Sequence, residues 1–91
     1  TGATGNIGAE IVNHLLRDSN ARLTLLIRAK DSGSALSRIH ESLSIIDPCF
    51  KSIEFRRRIR ALPGDITLPN LGLPAGDYTN LVKKATHIIH C

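Results

Sequence analysis

The sequence predicts an α/β fold, a doubly wound parallel sheet, from three observations. A glycine triad stands directly ahead of an apolar repeat of helical period, short apolar runs alternate with further helical repeats, and no segment repeats another. The resulting order, helix, strand, helix, strand, helix, strand, suits parallel strands joined by helical crossovers.

Each element has its own signal. Ile7, Ile11, Val12, Leu15 and Leu16 recur at helical spacing, and the pattern ends near Arg17 and Asp18, with Ser19 and Asn20 as breakers. Leu23, Leu25, Leu26 and Ile27 form a nearly continuous apolar run, interrupted by Thr24, as expected of a strand covered on both faces. Asp31, Ser32, Gly33 and Ser34 are turn and N-cap material ahead of a second helix that repeats Leu36, Ile39, Leu43 and Ile46 until Asp47 and Pro48 stop it. Residues 49–58 read equally as loop or short helix. Ile59, Ala61 and Leu62 alternate in a brief strand that ends at Pro63 and Gly64, and residues 68–76, with Pro69, Gly72, Pro74 and Gly76, read as an irregular connection. A last helix carries Tyr78, Leu81 and Val82 on one side, and Lys83 and Lys84 at its C-terminal end, where the helix dipole favours cations. Residues 86–91 are expected to close the chain as a strand.

Composition bounds the function. Ninety-one residues, 42% apolar and 22% charged, suffice for one small domain and argue against disorder. No apolar run approaches the roughly 20 residues of a membrane span. Two cysteines, Cys49 and Cys91, are too few for a disulfide framework and point to a reducing compartment, the cytoplasm. Twelve Lys and Arg against eight Asp and Glu give a net charge of +4, with Arg56, Arg57, Arg58 and Arg60 crowded together. Stacking sites for nucleic acid need aromatic residues nearby, and the chain has Phe50, Phe55 and Tyr78 alone. The arginines are therefore expected to be a solvated helix end, and the positive surplus suits an anionic small molecule.

The chemistry lies in G-A-T-G-N-I-G, where Gly2, Gly5 and Gly8 have the spacing of a pyrophosphate loop. The first glycine permits the tight turn, the second lets the backbone approach the phosphates, and the third lets helix and strand pack closely. Free N–H groups and the dipole at the helix start favour the negative ligand. An ordinary glycine turn is the alternative. Nineteen to twenty residues past the third glycine, an NAD site offers Asp or Glu to the ribose and an NADP site offers Arg. Here stand Ile27, Arg28, Ala29 and Lys30, with nothing acidic before Asp31. Arg28 can make a bidentate contact with a 2′-phosphate that Lys30 cannot copy. Arg38 can reach the same phosphate or simply lie in solvent on its helix. NADPH is the expected cofactor.

T-G-A-T-G-N-I-G, L-L-I-R-A, A-L-S-R-I, L-P-G-D-I-T-L-P-N-L-G-L and T-H-I-I-H-C, in this order over nearly all of the chain, resemble the start of the terminal thioester reductase domain. That domain occurs in nonribosomal peptide synthetases, aminoadipate reductases and carboxylic acid reductases. These are extended short-chain dehydrogenase/reductases with a Rossmann-like fold, and fatty acyl-CoA reductases are relatives. The resemblance implies that residues 1–8 form the nucleotide loop, with Thr4, Asn6 and Ile7 contacting the pyrophosphate. Arg28 and Arg38 would hold the 2′-phosphate. Asp65 would accept from the adenine amino group, and Ile66 would pack on the ring; from the residues alone, Asp65 reads as readily as the cap or turn residue of P-G-D-I-T. His90 and Cys91 would lie beside the cofactor's central portion. The implied partner is an acyl thioester on a phosphopantetheine carrier domain, reduced to an aldehyde or alcohol. No nucleic acid or membrane partner is implied.

Thr1 opens the sequence inside the motif and no methionine occurs anywhere. The expectation is a fragment, residues 1–91, of a single NAD(P)-binding domain cut at both ends. It would lack the strand ahead of the glycines, central in the order 3-2-1-4, so that the strands at 23–27 and 87–91 face a gap and the isolated piece folds marginally. The family's catalytic Ser or Thr and Tyr-x-x-x-Lys would lie beyond Cys91, leaving no catalytic residue in the chain. Tyr78 and Lys83 are five apart rather than four, and Tyr78 reads as a core contact. No metal site is expected: His87 and Cys91 share a strand face, but His90 points to the other. His14 and His40 read as surface residues without acidic partners, and Cys49 has no neighbouring base to activate it. A fatty acyl-CoA reductase, another extended reductase, or a non-catalytic NADP-binding protein are the competing assignments.

Overall fold

A computed structural model describes residues 1–48, 50 and 53–91, with the backbone alone for 53–55. Cys49, the candidate thiol, lies outside the described residues. The elements run α1 (Asn6–Asp18), β1 (Leu23–Ile27), α2 (Ser32–Ile46), α3 (Ile53–Arg58), β2 (Ile59–Pro63), a 3-10 turn (Pro69–Gly72) and α4 (Ala75–Lys84). β1 and β2 pair in parallel, with Leu23 opposite Ile59 and Ile27 opposite Pro63. This is the adjacency of the second and third strands of a doubly wound sheet.

Side-chain alternation along the two strands feeds two separate cores. Leu25, Ile27 and Ala61 face α1 and α2, packing with Val12, Leu16, Ala35, Ile39, Leu43 and Phe50. Leu26 and Leu62 face the opposite way, onto Leu73 with Leu71, Tyr78 and Leu81. Helices thus cover both faces of the sheet, which is why the strands read as continuous apolar runs rather than as alternating ones. Leu16, Ile39 and Leu43 are the largest fully buried side chains; each contributes about 1.5–3 kcal/mol by leaving water. Asp31 caps α2, its carboxylate accepting from the Ser34 amide at 2.7 Å. That bond holds the Asp31 carboxyl below its usual range.

Several expectations change. Residues 86–91 form no regular strand and are exposed. A strand requires a ladder of backbone hydrogen bonds to a partner, and the ties to the rest of the chain described there are both to Thr1, its N donating to the Ile89 carbonyl at 2.9 Å and its hydroxyl meeting His90 Nδ1. Among the described residues, β1 pairs with β2 alone, so its other edge carries no strand. Of the four clustered arginines, Arg56, Arg57 and Arg60 are exposed, as expected of a solvated helix end, and Arg58 departs from that reading. Arg58 is half-buried, and its guanidinium donates to the carbonyls of Leu16 and Ser19, the unsatisfied C-terminal end of α1. Arg60 pairs with Asp77 at 2.8 Å, and Arg56 meets His40 Nε2 at 3.0 Å. His40 is half-buried with its ring edge on Phe50. His14 is exposed but has an acidic partner, Asp18, one turn on at 2.8 Å.

Candidate nucleotide-binding cleft

The glycine turn is built from backbone. Gly2 has φ of +77°, a conformation that side chains resist, and its carbonyl accepts from the Gly5 amide at 3.0 Å. A Cβ on Gly8 would stand 2.0 Å from the Gly2 carbonyl oxygen, so glycine there lets α1 lie against the turn. Gly5 differs from both. Its φ of −79° suits any residue, and a Cβ would meet nothing nearer than the Gly2 oxygen at 3.4 Å. The fold therefore leaves room at Gly5. No side chain caps α1, and its first turn contains no acidic residue, so its N-terminal partial positive charge is not neutralised locally.

A cleft of about 320 Å³ opens beside this turn. Of the residues expected at the site, Gly2, Thr4, Arg28, Arg38, Asp65 and Ile66 line it, together with His90 and Cys91. Arg28 thus borders the same cleft as the glycine turn. Gly5, Asn6 and Ile7 stand exposed at the start of α1, outside that lining, and Gly8 is buried beneath the turn. Arg28 is the first residue past β1, and the Nη1 of Arg38 donates to its carbonyl.

Asp65 sits where β2 gives way to the loop. Its Oδ1 accepts from the Thr67 hydroxyl at 2.7 Å and the Thr67 amide at 2.9 Å. These bonds, first the hydroxyl and then the amide, hold the carboxyl below its usual range, and the charge of Arg28 acts in the same direction. The turn role read from P-G-D-I-T is therefore present, and Asp65 is also one of the residues lining the cleft. Ile66 beside it is 50% exposed, an apolar surface left open.

The loop that follows explains L-P-N-L-G-L. Asn70, Leu71 and Gly72 all have positive φ, 52°, 60° and 66°. This left-handed run returns the Leu71 carbonyl to the Asp65 amide at 2.8 Å and sends Leu73 into the core. Two helpers escaped the sequence: Thr67, for which Asp-x-Thr spacing was the available signal, and Ser42, whose hydroxyl lies 3.3 Å from the Thr4 carbonyl, a contact across 38 positions with no local signal. Among the described residues, no group of three His, Cys, Asp or Glu side chains could hold a metal ion.

Sheet order, glycine turn and cleft define the class: a Rossmann-like α/β nucleotide-binding domain. A family model of an NAD-binding domain, described as male sterility protein, matches residues 1–91, and the chain belongs to that family. The isonitrile lipopeptide synthase of Streptomyces coeruleorubidus is 33% identical over 90 residues, 99% of this chain and 6% of that protein. The fatty acyl-CoA reductase wat of Drosophila melanogaster is 31% identical over 96 residues, 99% of this chain and 18% of that protein. The crystal structure of the terminal R domain from the myxalamid PKS-NRPS biosynthetic pathway superposes with a TM-score of 0.78 at 31% identity, covering 91% of this chain and 21% of that one. The chain thus spans a small part of the length of its relatives. Among the described residues, no helix is long and apolar enough to cross a membrane.

Proposed function

We propose that this chain binds NADPH within a reductase that converts an acyl thioester, carried on the phosphopantetheine arm of a carrier domain, into an aldehyde or, with a second hydride, an alcohol. One observation carries the coenzyme assignment: the guanidinium-bearing end of β1 and the glycine turn share a single cleft. A diphosphate seated at the start of α1 meets free amides and a favourable dipole. Gly5, which the fold does not require to be glycine, leaves the diphosphate its line of approach, with Thr4, Asn6 and Ile7 around it.

Arg28 grips the 2′-phosphate, with Arg38 alongside at the same end of the cleft. Asp65 accepts from the adenine amino group and the exposed face of Ile66 packs on the ring. His90 and Cys91 border the coenzyme's central portion. A coenzyme held by these residues would supply the hydride that, together with one proton, takes the thioester to an aldehyde and releases the carrier thiol from the broken C–S bond. The chain's own share is to bind and orient the coenzyme. Its two cysteines fit the reducing cytoplasm.

The test uses the intact protein and follows loss of reduced-nicotinamide absorbance with one acyl group offered on a phosphopantetheine-loaded carrier protein or as its CoA ester. Consumption of NADPH with the carrier-bound acyl group is expected. Faster consumption with the CoA ester would favour a fatty acyl-CoA reductase, which the Drosophila relative supports. Coenzyme binding without turnover on either would favour a non-catalytic NADP-binding protein.

A further inference from the structure

Every polar group of Asp65 but one is committed inside its own loop. Its amide donates to the Leu71 carbonyl at 2.8 Å, and its carbonyl accepts from the Leu68 amide at 3.1 Å. Its Oδ1 accepts from both the hydroxyl and the amide of Thr67, at 2.7 and 2.9 Å. The left-handed run from Asn70 to Gly72 brings the Leu71 carbonyl into place, and the Gly64 amide, on the Ile27 carbonyl at 3.0 Å, anchors the loop to the end of β1. Among the described residues, nothing donates to Oδ2. Asp65 lines the coenzyme cleft, and Thr67 stands outside that lining. The carboxyl, held below its usual range, is ionised at neutral pH, and an ionised carboxylate accepts hydrogen bonds but donates none.

We infer that Thr67 is a positioning residue for base selectivity: by holding Oδ1 of Asp65 it leaves Oδ2 as a fixed acceptor, matched to the exocyclic amino group of adenine and mismatched to the oxo group of hypoxanthine. An oxo group set against Oδ2 places two acceptors face to face, and neither can satisfy the other. The donor on that edge of hypoxanthine is a ring N–H one position away. A carboxylate free to turn reaches it, and a carboxylate held by two donors turns only by breaking their bonds. This inference rests on the seating of adenine at Asp65 in the reading above.

The test titrates the intact protein with NADPH and with its hypoxanthine analogue, in which the amino group of the base is replaced by oxo. The native protein should prefer NADPH at least tenfold, the worth of one hydrogen bond to a charged group. Thr67→Val keeps the shape of the side chain and removes the hydroxyl donor. It should shrink that preference about fivefold through weaker NADPH binding, while undiminished binding of the analogue reports an intact fold. Thr67→Ser, which keeps the hydroxyl, should restore the native preference. Asp65→Ala should abolish the preference, and adding Thr67→Val to it should change neither affinity beyond about twofold. If Asp65→Ala abolishes the preference, two results with Thr67→Val overturn the proposal and leave the adenine seat standing: equal losses for both coenzymes, which mean a weakened loop, or an undiminished preference. If Asp65→Ala keeps the native preference, the base sits elsewhere, and the adenine assignment falls together with this proposal.

Discussion

A Gly5→Val protein should fold and should fail to hold a dinucleotide. The backbone at Gly5, φ −79° and ψ 165°, is extended and open to valine, and the new Cβ would make an ordinary contact with the Gly2 oxygen at 3.4 Å. Losing glycine at an N-cap position costs about 0.5–1 kcal/mol. The smaller freedom of the unfolded chain returns about 0.4–1 kcal/mol. Stability should therefore stay within about 1 kcal/mol of native, a shift of a few degrees in Tm. Binding should suffer far more. Each charge-assisted hydrogen bond from an amide at the helix start to the diphosphate is worth about 1.5–3 kcal/mol. A side chain that holds the ligand off two of them costs about 3–6 kcal/mol, more than a hundredfold in Kd. Fluorescence titration with NADPH and NADH, on samples whose melting is recorded in parallel, reads both quantities. Undiminished binding of either coenzyme would remove the pyrophosphate assignment. A variant that no longer folds would show that Gly5 answers to an internal constraint.

Gly8→Ala should do the opposite, unfolding the turn before binding is reached. Its Cβ would lie 2.0 Å from one Gly2 backbone atom and 2.7 Å from another, neither of which can swing aside, so a loss of about 3 kcal/mol is expected; an unchanged melting curve would contradict this. Arg58→Ala strips the guanidinium from the Leu16 and Ser19 carbonyls and should cost about 1.5–3 kcal/mol in denaturant unfolding. The exposed neighbour Arg57 serves as control, with Arg57→Ala within about 0.5 kcal/mol. Asp65 has its folded pKa below the ordinary 3.8, so the stabilisation from its Thr67 bonds is complete above that value and is lost as pH falls through the lowered one. Thr67→Val removes the hydroxyl donor and should move the Asp65 carboxyl back toward 3.8 in an NMR titration; no movement would show that Thr67 does not set its acidity.

The elements most legible in the sequence are those whose own residues carry the period. α1, β1, α2 and β2 fall where Leu15 and Leu16, Leu25 to Ile27, Ile39 and Leu43, and Ala61 and Leu62 place them. Residues 86–91 have the apolar content of a strand, but a ladder depends on a neighbour, and apolar content cannot supply one. The glycine motif was legible as a motif, though spacing alone could not show that Gly8 is locked by sterics while Gly5 is not. The arginines show the same limit. Arg58, Arg60 and Arg38 look alike as charges, yet one caps α1, one pairs with Asp77 and one holds the Arg28 carbonyl, across separations of 42, 17 and 10 positions. Such partners are set by chain crossings that local pattern does not encode.

The measurement that bears most directly on coenzyme choice is a pair of dissociation constants, for NADPH and NADH, in the intact native protein and in Arg28→Asp. NADPH should weaken at least tenfold, about 1.4 kcal/mol, as a carboxylate meets the 2′-phosphate, while NADH changes far less. Equal losses for the two coenzymes, or none, would mean that Arg28 does not distinguish them.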